Sequence, residues 1–160
     1  MSKSGDGGAI INISMTLHYG ATWYQAHALG VKSAIDFLTW SFGLQWESEK
    51  IRVNGITPGQ IADTPGTTKL ALGFIKDDAE EMIAERVPMG YLGKGFDIAM
   101  STIYLTCNVS EGYVSGDVLE IDGAKWFYKT IMIPREMVAE LSRKVEAKRR
   151  ELCPKMASTL

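Results

Sequence analysis

A lysine, a serine and a Pro-Gly pair stand where one crevice could gather them. Lys32 falls in a helix-like run after a short apolar segment ending at Ser14, and Thr57-Pro58-Gly59 closes a second apolar segment. In a parallel sheet the carboxyl ends of the strands face a common crevice, and ligands bind there. Ser14, Thr16, Thr57 and Pro58-Gly59 would occupy such ends, with Lys32 a couple of turns into the first connecting helix. A lysine so placed can hydrogen-bond a ribose hydroxyl, and its charge can lower the pKa of a neighbouring proton donor. The plain alternative is a surface lysine on a solvated helix, and position alone does not separate the two.

The elements that must position these residues follow from the hydrophobic pattern. Residues 9–14 (AIINIS) read as a strand buried on both faces, as in a parallel sheet. A polar and aromatic loop leads to a long helix over residues 25–46, where Leu29, Ala34, Phe37, Leu38 and Phe42 recur at helical spacing. Residues 51–56 (IRVNGI) predict a second strand, ended by a proline that stops the ladder and a glycine that frees the backbone. Short helices are expected near residues 67–74 and 77–86, a loop over 88–95, a helix over 96–107, and a third strand over Val118–Ile121 closing at Asp122-Gly123. Strands alternating with helices indicate an α/β fold with a parallel sheet. The tail over residues 134–152 is charged, with a narrow stripe of Met137, Val138, Leu141 and Val145. It reads as a surface helix packed on the domain or on a second subunit. Lys148, Arg149 and Arg150 read as its solvated end, favoured by the helix dipole. The expected division is therefore a domain over residues 1–128 and a helical tail over 129–160.

Bulk properties exclude some classes. The 160 residues suit one domain, and the balance of 46% hydrophobic and 22% charged residues is that of a globular protein. A net charge of -2 offers no basic field for a nucleic acid partner. No apolar run approaches the roughly 18 residues of a membrane span. Cys107 and Cys153 lack metal-like spacing and read as two reduced thiols, with a disulfide as the alternative. The polar, glycine-rich start does not have the pattern of a signal peptide. His18 and His27 have no partner spacing for a metal and are expected to make loop and helix polar contacts. Asp36 is expected to be exposed. Trp23, Tyr24 and Trp40 read as core or interface aromatics, with an acyl pocket as the other possibility.

Taken in order, "AIINIS", "AHALGVKSAIDFLTWSFGLQWESEKIRVNGITPGQIADT" and "ERVPMGYLGKGFDIAMSTIYLTCNVSEGYVSGDVLEIDGAKW" resemble the second half of a short-chain dehydrogenase/reductase. The resemblance covers about residues 7–126. It implies the C-terminal part of a Rossmann-type doubly wound parallel sheet, whose N-terminal dinucleotide-binding half, with its glycine-rich turn, lies outside this sequence. Departures narrow it. The family's Tyr-x-x-x-Lys reads Ala28-x-x-x-Lys32, and Met15 stands near the usual catalytic serine. The string "ISMTLHYGATWYQAHALGVKSAIDFL" resembles the branch formed by peroxisomal 2,4-dienoyl-CoA reductases, which also lacks the tyrosine, keeps the lysine and often has a histidine where His27 stands. "IADTPGTTKLA" resembles the same branch.

What the resemblance implies is specific. NADPH would give a hydride to a conjugated dienoyl thioester, and a lysine–aspartate pair would position the water that protonates the resulting enolate. Lys32 matches the lysine, and the aspartate would lie upstream of this sequence. Ser14, Pro58, Gly59, Gln60, Ile61, Ala62, Asp63 and Thr64 match positions at the cofactor. Lys69 matches a basic residue that reaches the acyl-CoA, with a solvated helix lysine as the alternative. The Lys32 helix would pack against its mate in a homo-oligomer, which Phe37, Trp40 and Phe42 suit. Tyr91 and Ala124 depart from an arginine and from the second glycine of Asp-Gly-Gly. Ser158-Thr159-Leu160 resembles the peroxisomal Ser-Lys-Leu address but lacks its basic charge. The resemblance to the peroxisomal branch implies a peroxisomal location, with the cytoplasm as the alternative. Three readings stand: a truncated chain of a dienoyl-CoA reductase, another short-chain reductase of the 3-oxoacyl type, or a non-catalytic chain that associates with full-length subunits. Carbonyl reduction wants the tyrosine, so Ala28 argues against the second.

Overall fold

A computed structural model of the chain describes residues 6–70, 79–107, 112–128 and 135–152. The first compact unit is Met1–Tyr128 and the second Lys129–Leu160. In the first, β1 (Gly8–Ile13) leads through a 3₁₀ turn (Thr16–Tyr19) to α1 (Ala26–Gln45). A short 3₁₀ turn then enters β2 (Ile51–Pro58), followed by α2 (Pro65–Leu70), α3 (Ala79–Ala84), α4 (Gly95–Thr106) and β3 (Val118–Ile121). The strands form a parallel sheet in the order β1-β2-β3. Gly8 stands opposite Ile51 and Ile13 opposite Ile56, while Gly55 to Pro58 stand opposite Val118 to Ile121. The second unit contains α5 (Arg135–Leu152), with exposed i,i+4 pairs Lys144–Glu140 at 2.8 Å and Arg150–Glu146 at 3.8 Å.

β2 is central, and its side chains alternate between two covering helices. Gly55 faces α1, where a Cβ would meet Thr39 at 3.6 Å. Arg52, of opposite parity, donates to the Leu105 and Thr106 carbonyls at the end of α4 at 2.8 and 3.3 Å. Val53, Ile56, Asn54 and Thr57 are fully buried. The buried amide of Asn54 is satisfied, donating to the Val114 carbonyl and accepting from the Asp117 amide, both at 3.0 Å.

β2 runs two residues further than the pattern predicts, through Pro58. Parallel pairing explains this. The Ser14 amide donates to the Ile56 carbonyl at 2.8 Å as the last rung toward β1, and the Gly59 amide donates to the Ile121 carbonyl at 2.9 Å on the β3 side. The missing N–H of Pro58 points past the end of β1, where no rung is required.

α1 turns its small and polar side inward. Its buried residues are Asp36, Thr39 and Gly43. Contact with the chain at Gly116 is close enough that a Cβ on Gly43 would lie 2.7 Å from the Gly116 nitrogen. Large residues therefore face out: Val31, Phe37, Trp40 and Leu44 are all exposed, as is Trp23 before the helix. Trp23 and Trp40 are not core aromatics, and Asp36, expected at the surface, is 3% exposed.

Candidate functional site

The carboxyl ends of β1 and β2 bring Ser14, Thr57 and Pro58-Gly59 to one edge of the sheet, beside the first turns of α1. Lys32 is half-buried there, and its Nζ donates to the Ile13 carbonyl at 2.8 Å. Ser14 is buried, and its Oγ donates to the Lys32 carbonyl at 3.2 Å. An ammonium has three hydrogens, so the bond to Ile13 leaves Lys32 able to donate to a ligand as well. Ala28 lies one turn before Lys32 and offers no donor. His27 is exposed.

The segment after β2 is built for close backbone approach. A Cβ on Gly59 would fall 2.6 Å from Asp122 Cβ and 2.8 Å from its Cα. Gln60 and Ala62 bond Gly93 through backbone groups at 3.1 and 2.9 Å, and Ile61 pairs with Gly93 in a short parallel bridge. Thr64 begins α2: its Oγ1 donates to the Ile61 carbonyl at 2.9 Å and accepts the Thr67 amide at 3.3 Å. Asp63 takes a left-handed conformation, φ 58°, and its amide donates to Glu80 at 3.4 Å. The buried Gln60 Oε1 has no hydrogen-bond partner. A lysine at one side of this edge, a turn without a Cβ at Gly59 at the other and an orphaned amide oxygen fit a dinucleotide. Lys69 falls on α2, but its side chain lies outside the described residues, as do Cys153 and Ser158-Thr159-Leu160.

Residues that spacing did not single out form the floor of this edge. His18, on the turn after β1, places Nε2 2.6 Å from Asp36 Oδ2, and both side chains are about 5% exposed or less. Its Nδ1 faces the Met15 carbonyl. Next to it, Tyr19 donates its hydroxyl to Glu120 at 3.2 Å and stacks edge-on against Trp126 at 5.0 Å. Burial pushes the Tyr19 phenol up to about 12, and the carboxylates of Glu120 and Asp36 add to the effect while a contact with Thr57 opposes it. Asp122 closes the far side by accepting the Lys125 and Trp126 amides at 3.1 and 2.7 Å. His18 and Asp36 belong to different elements, so no local motif could reveal their pairing. A separate cleft of about 390 Å³, lined by Trp40, Leu44, Glu47, Arg52 and Tyr113 among others, lies by the start of β2, away from Lys32.

This fold and edge are those of a partial α/β domain of the Rossmann type, and residues 1–124 match the family model described as enoyl-(acyl carrier protein) reductase. The chain belongs to that family, within the short-chain dehydrogenases/reductases. Among individual relatives, it is 45% identical over 149 residues to the peroxisomal 2,4-dienoyl-CoA reductase of Arabidopsis thaliana, covering 92% of this chain and 48% of the relative. The peroxisomal 2,4-dienoyl-CoA reductase of Saccharomyces cerevisiae is 32% identical over 142 residues, 86% of this chain and 47% of the relative. The chain thus spans about half the length of the curated relatives it matches. A solved Agrobacterium tumefaciens protein with bound NADP, described as a 2-deoxy-D-gluconate 3-dehydrogenase, superposes with a TM-score of 0.67 at 28% identity, over 80% of this chain and 50% of that one.

Proposed function

We propose that this sequence carries the lysine-bearing part of an NADPH-dependent reductase that converts 2,4-dienoyl-CoA to 3-enoyl-CoA in the β-oxidation of unsaturated fatty acids. The observation that carries the reading is Lys32 held at the end of β1 with Ala28, not tyrosine, one turn earlier. The likeness to the Arabidopsis and yeast enzymes supports it. When bound, the nicotinamide cofactor supplies a hydride. Lys32 orders a ribose hydroxyl and, with an aspartate from outside this sequence, the water that protonates the enolate at the thioester. Protonation of an enolate needs no tyrosine facing a carbonyl oxygen, so Ala28 is compatible with this chemistry and not with carbonyl reduction. Ser14 fixes the helix that carries Lys32, while Pro58, Gly59, Gln60, Ile61, Ala62, Asp63 and Thr64 wrap the cofactor mainly through backbone groups. Lys69 reaches the phosphates of the acyl-CoA. Copies of the chain associate through α1, whose Phe37 and Trp40 are exposed. The location is the peroxisome, as the names of the relatives state for those proteins.

The test is a fluorescence titration of the full chain with NADPH, with and without a 2,4-dienoyl-CoA. Saturable binding, and loss of the reduced-cofactor signal only when the dienoyl thioester is present, is the expected result. A folded chain that binds no NADPH would favour a non-catalytic chain that associates with full-length subunits.

A further inference from the structure

The His18–Asp36 pair is buried, joins two elements at the candidate site, and is used by no step above. Its hydrogen-bond geometry constrains its protons. Nδ1 faces the Met15 carbonyl, which can only accept, so Nδ1 carries a hydrogen. Nε2 lies 2.6 Å from Asp36 Oδ2. Each side chain is about 5% exposed or less, so the contact is closed off from water. Neither Asp36 carboxylate oxygen has a hydrogen-bond partner of regular geometry, so the imidazole is the close neighbour of a carboxylate shielded from water.

The pair fixes a specific piece of chain. His18 ties the turn after β1 to α1 at Asp36, one helical turn beyond Lys32, while adjacent Tyr19 ties it to Glu120 and Trp126 at the end of β3. Held on both sides, this turn becomes a rigid floor across the carboxyl edge of the sheet, the edge to which open α/β sheets bring their ligands. We propose that His18 and Asp36 are positioning residues, whose buried contact locks this floor and thereby sets the fit of the acyl substrate beside Lys32. The inference rests on the reductase reading above.

The experiment has two arms on the full chain. In the first, the unsubstituted protein labelled with ¹⁵N-histidine is examined by NMR. His18 is expected to show a hydrogen on Nδ1 that exchanges slowly with water. A bare lone pair on Nδ1, or fast exchange there, would overturn the held turn, and this arm needs no variant to fold. In the second, His18→Gln, Asp36→Asn and the double variant are assayed with NADPH and a dienoyl-CoA. Each single change is expected to raise KM for the thioester about fivefold or more, with kcat and the NADPH Kd within about twofold. The double variant is expected to be no worse than the poorer single, because both remove one interaction. A merely structural pair would lower the folded fraction, and so apparent kcat, with KM unmoved; that result overturns the inference while leaving the reductase reading intact. If the unsubstituted chain does not turn over the thioester, the reductase reading fails and the positioning role falls with it.

Discussion

Ser14 and Lys32 hold each other across the connection from β1 to α1. The serine hydroxyl donates to the lysine carbonyl at 3.2 Å, and the lysine ammonium donates to the carbonyl of Ile13, next to the serine, at 2.8 Å. The ammonium is thereby aimed by the end of a strand and not left to a flexible four-carbon stem. Such an anchor limits the rotamer entropy lost when a ligand binds. Changing Lys32 to alanine removes the charge and the anchor together. The expected loss in kcat/KM is about a hundredfold or more, at the level of a missing general acid–base or positioning group. Lys32→Arg is expected to recover only part of it, because a planar fork cannot reproduce a point donor.

Tyr19 lies on the turn between β1 and α1, yet it is no substitute for the tyrosine that Ala28 replaces. Its hydroxyl is bonded to Glu120, and burial holds it neutral up to about 12. Tyr19→Phe is therefore expected to keep dienoyl-CoA reduction within about threefold of the parent. The sign of its effect on stability follows from the raised value. The folded state favours the protonated phenol, so the contribution is complete below the ordinary value of 10.0 and is lost as pH rises from there through about 12. Denaturant melts across that window should show a steeper loss for the parent chain than for Tyr19→Phe.

At the turn after β3, Gly123 and Ala124 both adopt left-handed backbone, with φ 63° and 66°. Glycine takes this conformation freely, whereas an L-residue with a Cβ pays about 1–2 kcal/mol for it. Ala124→Gly is expected to stabilise the domain by about 0.5–1 kcal/mol after the extra unfolded-state entropy of glycine is counted. An unchanged or lower Tm would contradict that.

Gly59 is required for a different reason, close approach. A Cβ there would meet the backbone and Cβ of Asp122 at under 3 Å, and backbone cannot swing aside as a flexible side-chain tip can. Gly59→Ala is expected to cost about 1–3 kcal/mol, as overpacking does. NADPH affinity should fall as well, because the turn must move.

Much of this was legible in the residues because the relevant signals are local. Period and turn chemistry located α1 to within a residue at each end, and Val118–Ile121 emerged as β3 from its apolar run before Asp-Gly. Pro58 reads as a stop in the sequence, yet whether its missing N–H matters depends on where β1 ends. The facing of α1 was hidden for a related reason. Phe37 and Trp40 suggest an apolar contact, but the sheet accepts only the Gly43 side because the chain at Gly116 lies so close, and Asp36 is carried inward with it. The His18–Asp36 pair was illegible because its partners come together only when the turn after β1 folds back onto α1.

The most direct test of the account compares two substrates on one protein. The full chain is supplied with NADPH and either a 2,4-dienoyl-CoA or a 3-oxoacyl-CoA, and cofactor oxidation is followed alongside the position of the remaining double bond. Oxidation with the dienoyl thioester alone, a 3-enoyl product, and loss of that turnover in Lys32→Ala are expected. Reduction of the 3-oxoacyl thioester in preference, or turnover that survives Lys32→Ala, would contradict it.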